Sequence, residues 1–174
     1  AALDRDEMPA PRAPAAGFRW HQAAGKWRSE QPGFIADFDQ SGLSVMPLSR
    51  GLRSASLKEP SFRLGTTQLS IQGRGLDSSA RELSVSQTGV LTAKSPSCVE
   101  ELESTPDGIH QQWRFPERPA KAGPMLVRIP VEGAERVASG VTGLQVSCGL
   151  LTFRYSHAVW VDAMGQRSHI PAIF

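Results

Sequence analysis

Residues 151–162 read LTFRYSHAVWVD, and residues 125–131 read MLVRIPV. In both stretches apolar and polar side chains largely alternate with a period of two, which is typical of strands that bury one face. Turn-forming Pro and Gly residues lie near their borders, where strands usually end. These stretches predict antiparallel strands in the C-terminal third of the chain, and they decide the fold class.

The rest of the chain carries the same signals in shorter form. The segments GFIADF (33–38) and LSVM (43–46) flank the turn-forming residues DQSG (39–42), which predicts a β-hairpin. No window of a dozen residues has apolar side chains at helical spacing. The sequence therefore predicts an all-β fold, an antiparallel β-sandwich of short strands, with residues 17–174 as a single domain. Further strands are predicted at 61–64, 67–72, 82–86, 89–93 and 98–103.

The first sixteen residues differ from the remainder of the chain. Residues 1–16 are rich in Ala and Pro and contain no aromatic side chain. They also lack apolar periodicity, so we expect a flexible, disordered leader. The aromatic residues Phe18 and Trp20 mark the expected start of the folded domain.

The composition limits the classes of function. The chain has 19 Lys and Arg against 17 Asp and Glu, a net charge of +2, and its basic residues are scattered singly. This distribution disfavours nucleic-acid binding, which needs a basic patch or run. No stretch approaches the roughly twenty apolar residues that cross a bilayer, so no membrane span is predicted.

The predicted hairpin turn contains a candidate calcium site. Asp37, Asp39 and Ser41 have the opening spacing of a calcium loop, in which alternate oxygen atoms surround a hard cation. Leu48 occupies the twelfth position, where such a loop carries a carboxylate. A structural turn, in which Asp39 and Ser41 bond the nearby backbone, is the preferred interpretation, and no other cofactor is predicted.

The stretch that decides the fold also supplies candidate ligand-binding residues. Tyr155, His157 and Trp160 could present flat rings to a sugar or a protein. Successive strand residues point to opposite faces, so Tyr155 and Trp160 do not share a face in a regular strand. The same parity separates Ser156 and Asp162 from His157, which argues against a hydrolase triad. Packing in the core or at its rim is the alternative for the binding candidates.

Two parts of the chain resemble a known group of proteins. Residues 107–115 (DGIHQQWRF) with 118–127 (RPAKAGPMLV), and residues 151–165 (LTFRYSHAVWVDAMG), are similar to segments of large secreted proteins of myxobacteria and related bacteria. In those proteins the region is an N-terminal β domain that precedes integrin-like (FG-GAP) or propeller-type repeats. The resemblance covers 107–165 with most detail and 18–174 loosely. It implies export and a modular, non-enzymatic role.

Export bears on the interpretation of the two cysteines. An even number of cysteines in an exported protein predicts one disulfide, here between Cys98 and Cys148. Such a bond would close a loop of about fifty residues and stabilise the fold by about 4 kcal/mol in the chain-entropy account. Two buried free thiols are the alternative.

These observations leave three functions, in order of preference. The first is a non-catalytic β-sandwich module of a larger secreted or cell-surface protein, which contacts other domains or chains of that protein. Loops 49–60 and 74–80 are its predicted contact surfaces. The second is a carbohydrate-binding module, with a glycan or a cell-surface protein as partner. The third is a pro-segment or processed subunit of a secreted hydrolase.

Overall fold

Short antiparallel strands make up the molecule. A computed structural model describes residues 18–48, 61–76, 81–116, 123–149 and 151–174. These residues contain no helix, which confirms the predicted all-β fold. Their strands are β1 His21–Ala23, β2 Lys26–Glu30, β3 Phe34–Asp39, β4 Gly42–Pro47, β5 Phe62–Gly65, β6 Gln68–Ile71, β7 Arg74–Gly75, β8 Glu82–Val85, β9 Leu91–Lys94, β10 Val99–Thr105, β11 Gly108–Arg114, β12 Met125–Arg128, β13 Val131–Glu132, β14 Arg136–Gly140, β15 Gly143–Cys148, β16 Leu151–Ser156, β17 Ala158–Val161 and β18 Arg167–Ile170.

Some predicted features lie outside the described residues. They are the leader at 1–16, the contact loop at 49–60 and most of the second contact loop, at 77–80. The rest of that second loop is described and contains β7.

Two larger sheets form the layers of the sandwich. One has six strands in the order β1-β2-β3-β4-β5-β13, and the other has four in the order β11-β10-β9-β8. Smaller sheets, β12-β6-β7, β14-β15-β16 and β17-β18, complete the described part. Since alternate strand residues point to one face, each large sheet contributes one apolar face to a shared core.

The core joins both layers. Trp20, just before β1, is buried, and its indole N–H donates a 3.0 Å hydrogen bond to the carbonyl of Leu102 on β10. Full burial of a Val, Leu or Phe side chain stabilises a fold by about 1.5–3 kcal/mol. The buried cluster consists of Trp20, Ala36, Phe38, Leu43, Val45, Phe62, Leu64, Leu91, Ala93, Leu102, Val146 and Cys148.

The β14-β15-β16 sheet covers one side of this core. Phe153 on β16 contacts Phe34 with ring centroids 5.6 Å apart and Phe62 with centroids 5.2 Å apart. Val146 on β15 is buried in the same cluster. β15 and β16 therefore belong to the sandwich.

The predicted hairpin is confirmed. β3 and β4 pair along their whole length, with Asp39 opposite Gly42 at the turn. The Asp39 carboxylate accepts a 2.7 Å hydrogen bond from the backbone N–H of Ser41, and a second one from the Ser41 hydroxyl. The side chain of Asp39 thus shapes the turn, as Asp commonly does.

Both stretches that decide the fold are interrupted in the structure. Residues 125–131 divide into β12, which pairs with β6, and β13, which pairs with β5. Between them Pro130 has no N–H to donate, and its carbonyl accepts the N–H of Gly65 at 2.7 Å. Residues 151–162 divide at His157 into β16 and β17, and the four residues of β17 are all exposed. β17 is therefore not the half-buried strand that its sequence predicts.

The predicted disulfide between Cys98 and Cys148 is wrong. Both cysteines are free and buried. Cys98 precedes β10 of the four-stranded sheet, whereas Cys148 ends β15 of a different sheet. An even cysteine count does not bring two Cβ atoms within the roughly 4 Å that a disulfide requires. The two thiols act as small apolar side chains, which is the alternative interpretation.

Burial also governs the ionisation of these thiols. Burial and the nearby Glu100 carboxylate raise the pKa of Cys98 to about 12. Burial, with a smaller effect of Glu135, raises the pKa of Cys148 as well. Both thiols are therefore protonated at neutral pH and poorly nucleophilic.

Candidate contact surface

The last two strands form a small sheet of their own. β17 and β18 pair with each other, and all eight of their residues are exposed. The turn between them is shaped by Asp162, whose carboxylate accepts the backbone N–H groups of Met164 at 2.8 Å and Gln166 at 2.9 Å. We call residues 158–170 the C-terminal ribbon.

Exposed apolar side chains concentrate on the C-terminal ribbon and the four residues after it. Val159 is 55% exposed and Trp160 40% exposed. Contiguous exposed apolar patches on soluble proteins mark interaction sites, and an isolated two-stranded sheet is marginally stable in water. Of the twelve large hydrophobic side chains that are exposed in the described residues, seven lie here: Val159, Trp160, Val161, Met164, Ile170, Ile173 and Phe174.

Within the described part of the chain, both long edges of the C-terminal ribbon are open. Each strand has one paired neighbour, so its other edge presents N–H and C=O groups that no strand uses. Natural edge strands are usually blunted by a charge, a Pro or a bulge. β17 reads AVWV and contains neither a charge nor a Pro. Such an edge is suited to pairing with an extended strand.

His157 connects the C-terminal ribbon to the sandwich. It lies between β16 and β17, and its Nδ1 accepts the backbone N–H of Ala172 at 2.9 Å. Its Nε2 lies 3.2 Å from the carbonyl oxygen of Val141, in the β14–β15 turn. The ring of His169, on β18, meets the His157 ring edge-on with centroids 5.1 Å apart. The two nitrogen atoms of His157 thus join the β16–β17 junction to the β14–β15 turn and to the segment after β18.

The three candidate ligand-binding residues occupy different environments. Trp160 is on the exposed ribbon, where its ring contacts Phe115 with centroids 5.9 Å apart. Tyr155 is turned toward the sandwich, and its hydroxyl donates a 2.7 Å hydrogen bond to the side-chain oxygen of Gln111. His157 lies between them and bonds backbone groups. Tyr155 and Trp160 therefore do not form one aromatic platform.

Arg81 and Glu100 form a buried ion pair, which Gln111 connects to Tyr155. The guanidinium of Arg81 contacts the carboxylate of Glu100 at 2.5 Å, and the two side chains are 10% and 5% exposed. The amide of Gln111 donates to the other Glu100 oxygen at 2.5 Å, and Arg81 lies 5.2 Å from the centre of the Phe38 ring. Burial and the Glu100 charge raise the pKa of Tyr155 above its ordinary value, so its hydroxyl remains a donor. This network compensates its own charges, which indicates a structural role.

The three candidate calcium ligands make structural contacts. The carboxylate of Asp37 accepts two hydrogen bonds from Arg28, at 2.7 and 2.9 Å. The carboxylate of Asp39 bonds Ser41 and lies 3.4 Å from the Lys26 ammonium. Burial raises the pKa of Asp39, but the bonds from Ser41 and Lys26 outweigh it and lower that pKa. This geometry favours the structural interpretation of the turn.

In the described ranges no three His, Cys, Asp or Glu side chains gather in a way that could hold a metal ion. Nor do these ranges contain a helix with the length and hydropathy needed to cross a bilayer.

Sequence reasoning missed the second strand of the C-terminal ribbon. Residues 167–170 read RSHI, which is too short and too polar to give a strand signal alone. The preceding residues 162–166 read DAMGQ, in which the turn formers Asp162 and Gly165 stand three positions apart. That turn, directly after the apolar run of β17, was the available indication of a hairpin.

Comparison of the chain with protein-family models, with curated proteins and with solved structures gave no match.

Proposed function

We propose that the protein is a non-catalytic, exported β-sandwich module that contacts other domains or chains of a larger secreted or cell-surface protein. The observation that carries the proposal is the C-terminal ribbon, with exposed apolar side chains and open strand edges. Burial of apolar surface is the main favourable term in protein association, and open edges add backbone hydrogen bonds.

The outer face of the four-stranded sheet provides a contrast. It presents polar and charged side chains, among them Thr92, Lys94 and Glu101. Glu101 accepts hydrogen bonds from Gln112 and Arg114 on the neighbouring strand. A solvated face of this kind needs no partner, because its polar groups are already paired with each other or with water. Among the described residues, exposed apolar side chains are thus more concentrated on the C-terminal ribbon and residues 171–174 than elsewhere.

Contact by the C-terminal ribbon can be tested by site-specific photo-cross-linking. Benzoylphenylalanine at position 159 in the full secreted protein should give a cross-link to another domain or chain, because Val159 is exposed on the ribbon. The matched control is the same group at Gln112, which is exposed on the polar outer face of β11. Equal yields from positions 159 and 112, or none from 159, would contradict the proposal.

Export is a separate part of the proposal. The resemblance of residues 107–165 to secreted proteins supports export. The two cysteines do not support it, because they are free and form no disulfide. Fractionation of the source cells decides the question. The protein should be recovered from the medium, the cell surface or the periplasm, and recovery in the cytosolic fraction alone would contradict export.

One observation favours a carbohydrate-binding module as the second candidate. Trp160 exposes 40% of its surface beside the Phe115 ring, and exposed aromatic rings stack on sugars. Glycan-array binding that is lost in Trp160→Ala and kept in Val141→Ala would support this candidate. Absence of glycan binding by the unaltered protein would remove it.

A further inference from the structure

We propose that His157 is a proton-sensitive latch, which holds residues 171–174 beside the junction of β16 and β17 at neutral pH and releases them at mildly acidic pH. The proposal is independent of export and of the identity of any partner. It uses only the two hydrogen bonds of one imidazole and the groups that surround it.

The hydrogen bonds determine where the imidazole proton lies. A backbone N–H can only donate, so the bond from Ala172 requires a free electron pair on Nδ1 of His157. In a neutral imidazole the proton must then be on Nε2, which faces the carbonyl oxygen of Val141 at 3.2 Å. Both hydrogen bonds can form only when the His157 ring is neutral and carries its proton on Nε2.

Protonation breaks one of the two connections. A second proton can be added only at Nδ1, where it would face the N–H of Ala172, and two donors cannot share a hydrogen bond. The Nε2 bond to Val141 survives, because that nitrogen is already a donor. The released part is therefore the segment after β18, in which Ile173 is 82% and Phe174 80% exposed.

The groups around His157 do not compensate a positive charge. It faces His169 from β18, a carbonyl from the β14–β15 turn and a backbone N–H from the segment after β18. In the described ranges no Asp or Glu forms an ion pair with either histidine. Arg167 shares the face of β18 with His169, and the Asp162 carboxylate is used by its own turn. A positive charge on the neighbouring His169 ring would repel one on His157.

The direction of the pH dependence follows from proton counting. The latched state carries one proton on the His157 ring, and the released state can carry two. Acid therefore favours release, because protonation of Nδ1 removes the acceptor of the Ala172 N–H. After release, the ring contact between Trp160 and Phe115 still joins the ribbon to the sandwich.

NMR of the ¹⁵N-labelled protein tests the proposal directly. At pH 7.5 the ring nitrogen shifts of His157 should show the tautomer with its proton on Nε2. Between pH 7.5 and pH 5, order parameters at residues 172–174 should fall from about 0.85, typical of rigid backbone, to below about 0.6. His157→Gln supplies an amide oxygen and an N–H that do not titrate, so this variant should remain rigid at both pH values.

The control is His110→Gln, on the exposed side of β11, which should keep the pH response of the unaltered protein. Three results would overturn the proposal: a proton on Nδ1 at pH 7.5, unchanged order parameters at pH 5, or the same pH response in His157→Gln. The tautomer measurement uses the unaltered protein, so it decides the matter even if a variant does not fold.

Discussion

The Arg81–Glu100 pair shows how much one buried side chain can depend on another. Removal of the arginine leaves the Glu100 carboxylate in the interior without its cation. We expect Arg81→Ala to lower the free energy of unfolding by about 3–5 kcal/mol. Urea denaturation measures the change.

Two variants serve as controls for this pair. The double variant Arg81→Met/Glu100→Met removes both charges and should recover most of the lost stability. Arg114→Ala breaks the solvent-exposed pair with Glu101 and should change stability by less than about 1 kcal/mol. Equal losses in Arg81→Ala and Arg114→Ala would show that the buried pair has no special role.

Cys98 predicts a loss of stability at alkaline pH. Its pKa is about 12 in the folded protein against an ordinary value of 9.0, so the unfolded chain loses its thiol proton first. The contribution of this thiol to stability is complete below pH 9 and declines as the pH rises toward 12. Urea denaturation between pH 8 and pH 11 should show a smaller decline in Cys98→Ala. An identical decline in both proteins would contradict this assignment.

A side chain's partner in space is harder to predict than the face it occupies. Glu100 shares strand parity with Leu102 and Ser104 on β10, so its inward direction could have been predicted from the sequence. Its partner Arg81 precedes a different strand and could not. The wrong pairing of Cys98 with Cys148 has the same cause, because a residue count contains no information on distance.

Two hairpins use glycine in the same way. Gly42 and Gly143 each begin the second strand of a hairpin, with φ of 121° and 132°. A Cβ atom at Gly42 would lie 2.2 Å from the carbonyl oxygen of Leu64, and one at Gly143 would lie 2.1 Å from that of Tyr155. In both cases the obstacle is backbone of the next strand, which cannot move without breaking the sheet.

We expect Gly42→Ala and Gly143→Ala to be strongly destabilising. Backbone strain alone costs about 1–3 kcal/mol, and the collision with the neighbouring strand adds to it. Gly25 is the matched control, since it has a φ of 77° with no atom within 4 Å of an added Cβ. Gly25→Ala should therefore lose less stability, in thermal or urea unfolding, than either of the other two. A larger loss at Gly25 would contradict the argument.

Turn residues between strands were a useful signal, but not every hairpin that contains them was predicted. The DQSG turn predicts the β3–β4 hairpin correctly. The β14–β15 hairpin was not predicted as such, although Leu144, Val146 and Cys148 alternate along β15 and are all buried. The period of two in β17 gave no sign of its exposure, since alternation indicates an extended chain but not whether another sheet covers it.

At the scale of the whole molecule, the C-terminal ribbon is peripheral to the core. We expect the double variant Val159→Ser/Val161→Ser to change the free energy of unfolding by no more than about 0.5 kcal/mol, as exposed substitutions usually do. The same variant should bind less of a dye that fluoresces on apolar surfaces. Leu102→Ala, at a fully buried position, should cost about 2–5 kcal/mol.

These two measurements separate a binding surface from a part of the core. If the double valine variant unfolded as readily as Leu102→Ala, the ribbon would have to be counted among the elements that support the fold. The sequence predicted the class of the molecule correctly, but not this division, because β17 (AVWV), which does not pack on the sandwich, is more apolar than β16 (LTFRYS), which does.

The bond between the Trp20 indole and the Leu102 carbonyl joins residues 82 positions apart, and the Phe34–Phe153 contact joins residues still further apart. Such distant pairings form slowly, because the chain loses much conformational entropy before the stabilising contacts form. During synthesis the interior cannot close until Phe153 has left the ribosome. The nascent polypeptide before that residue therefore stays open long enough for a chaperone to engage it.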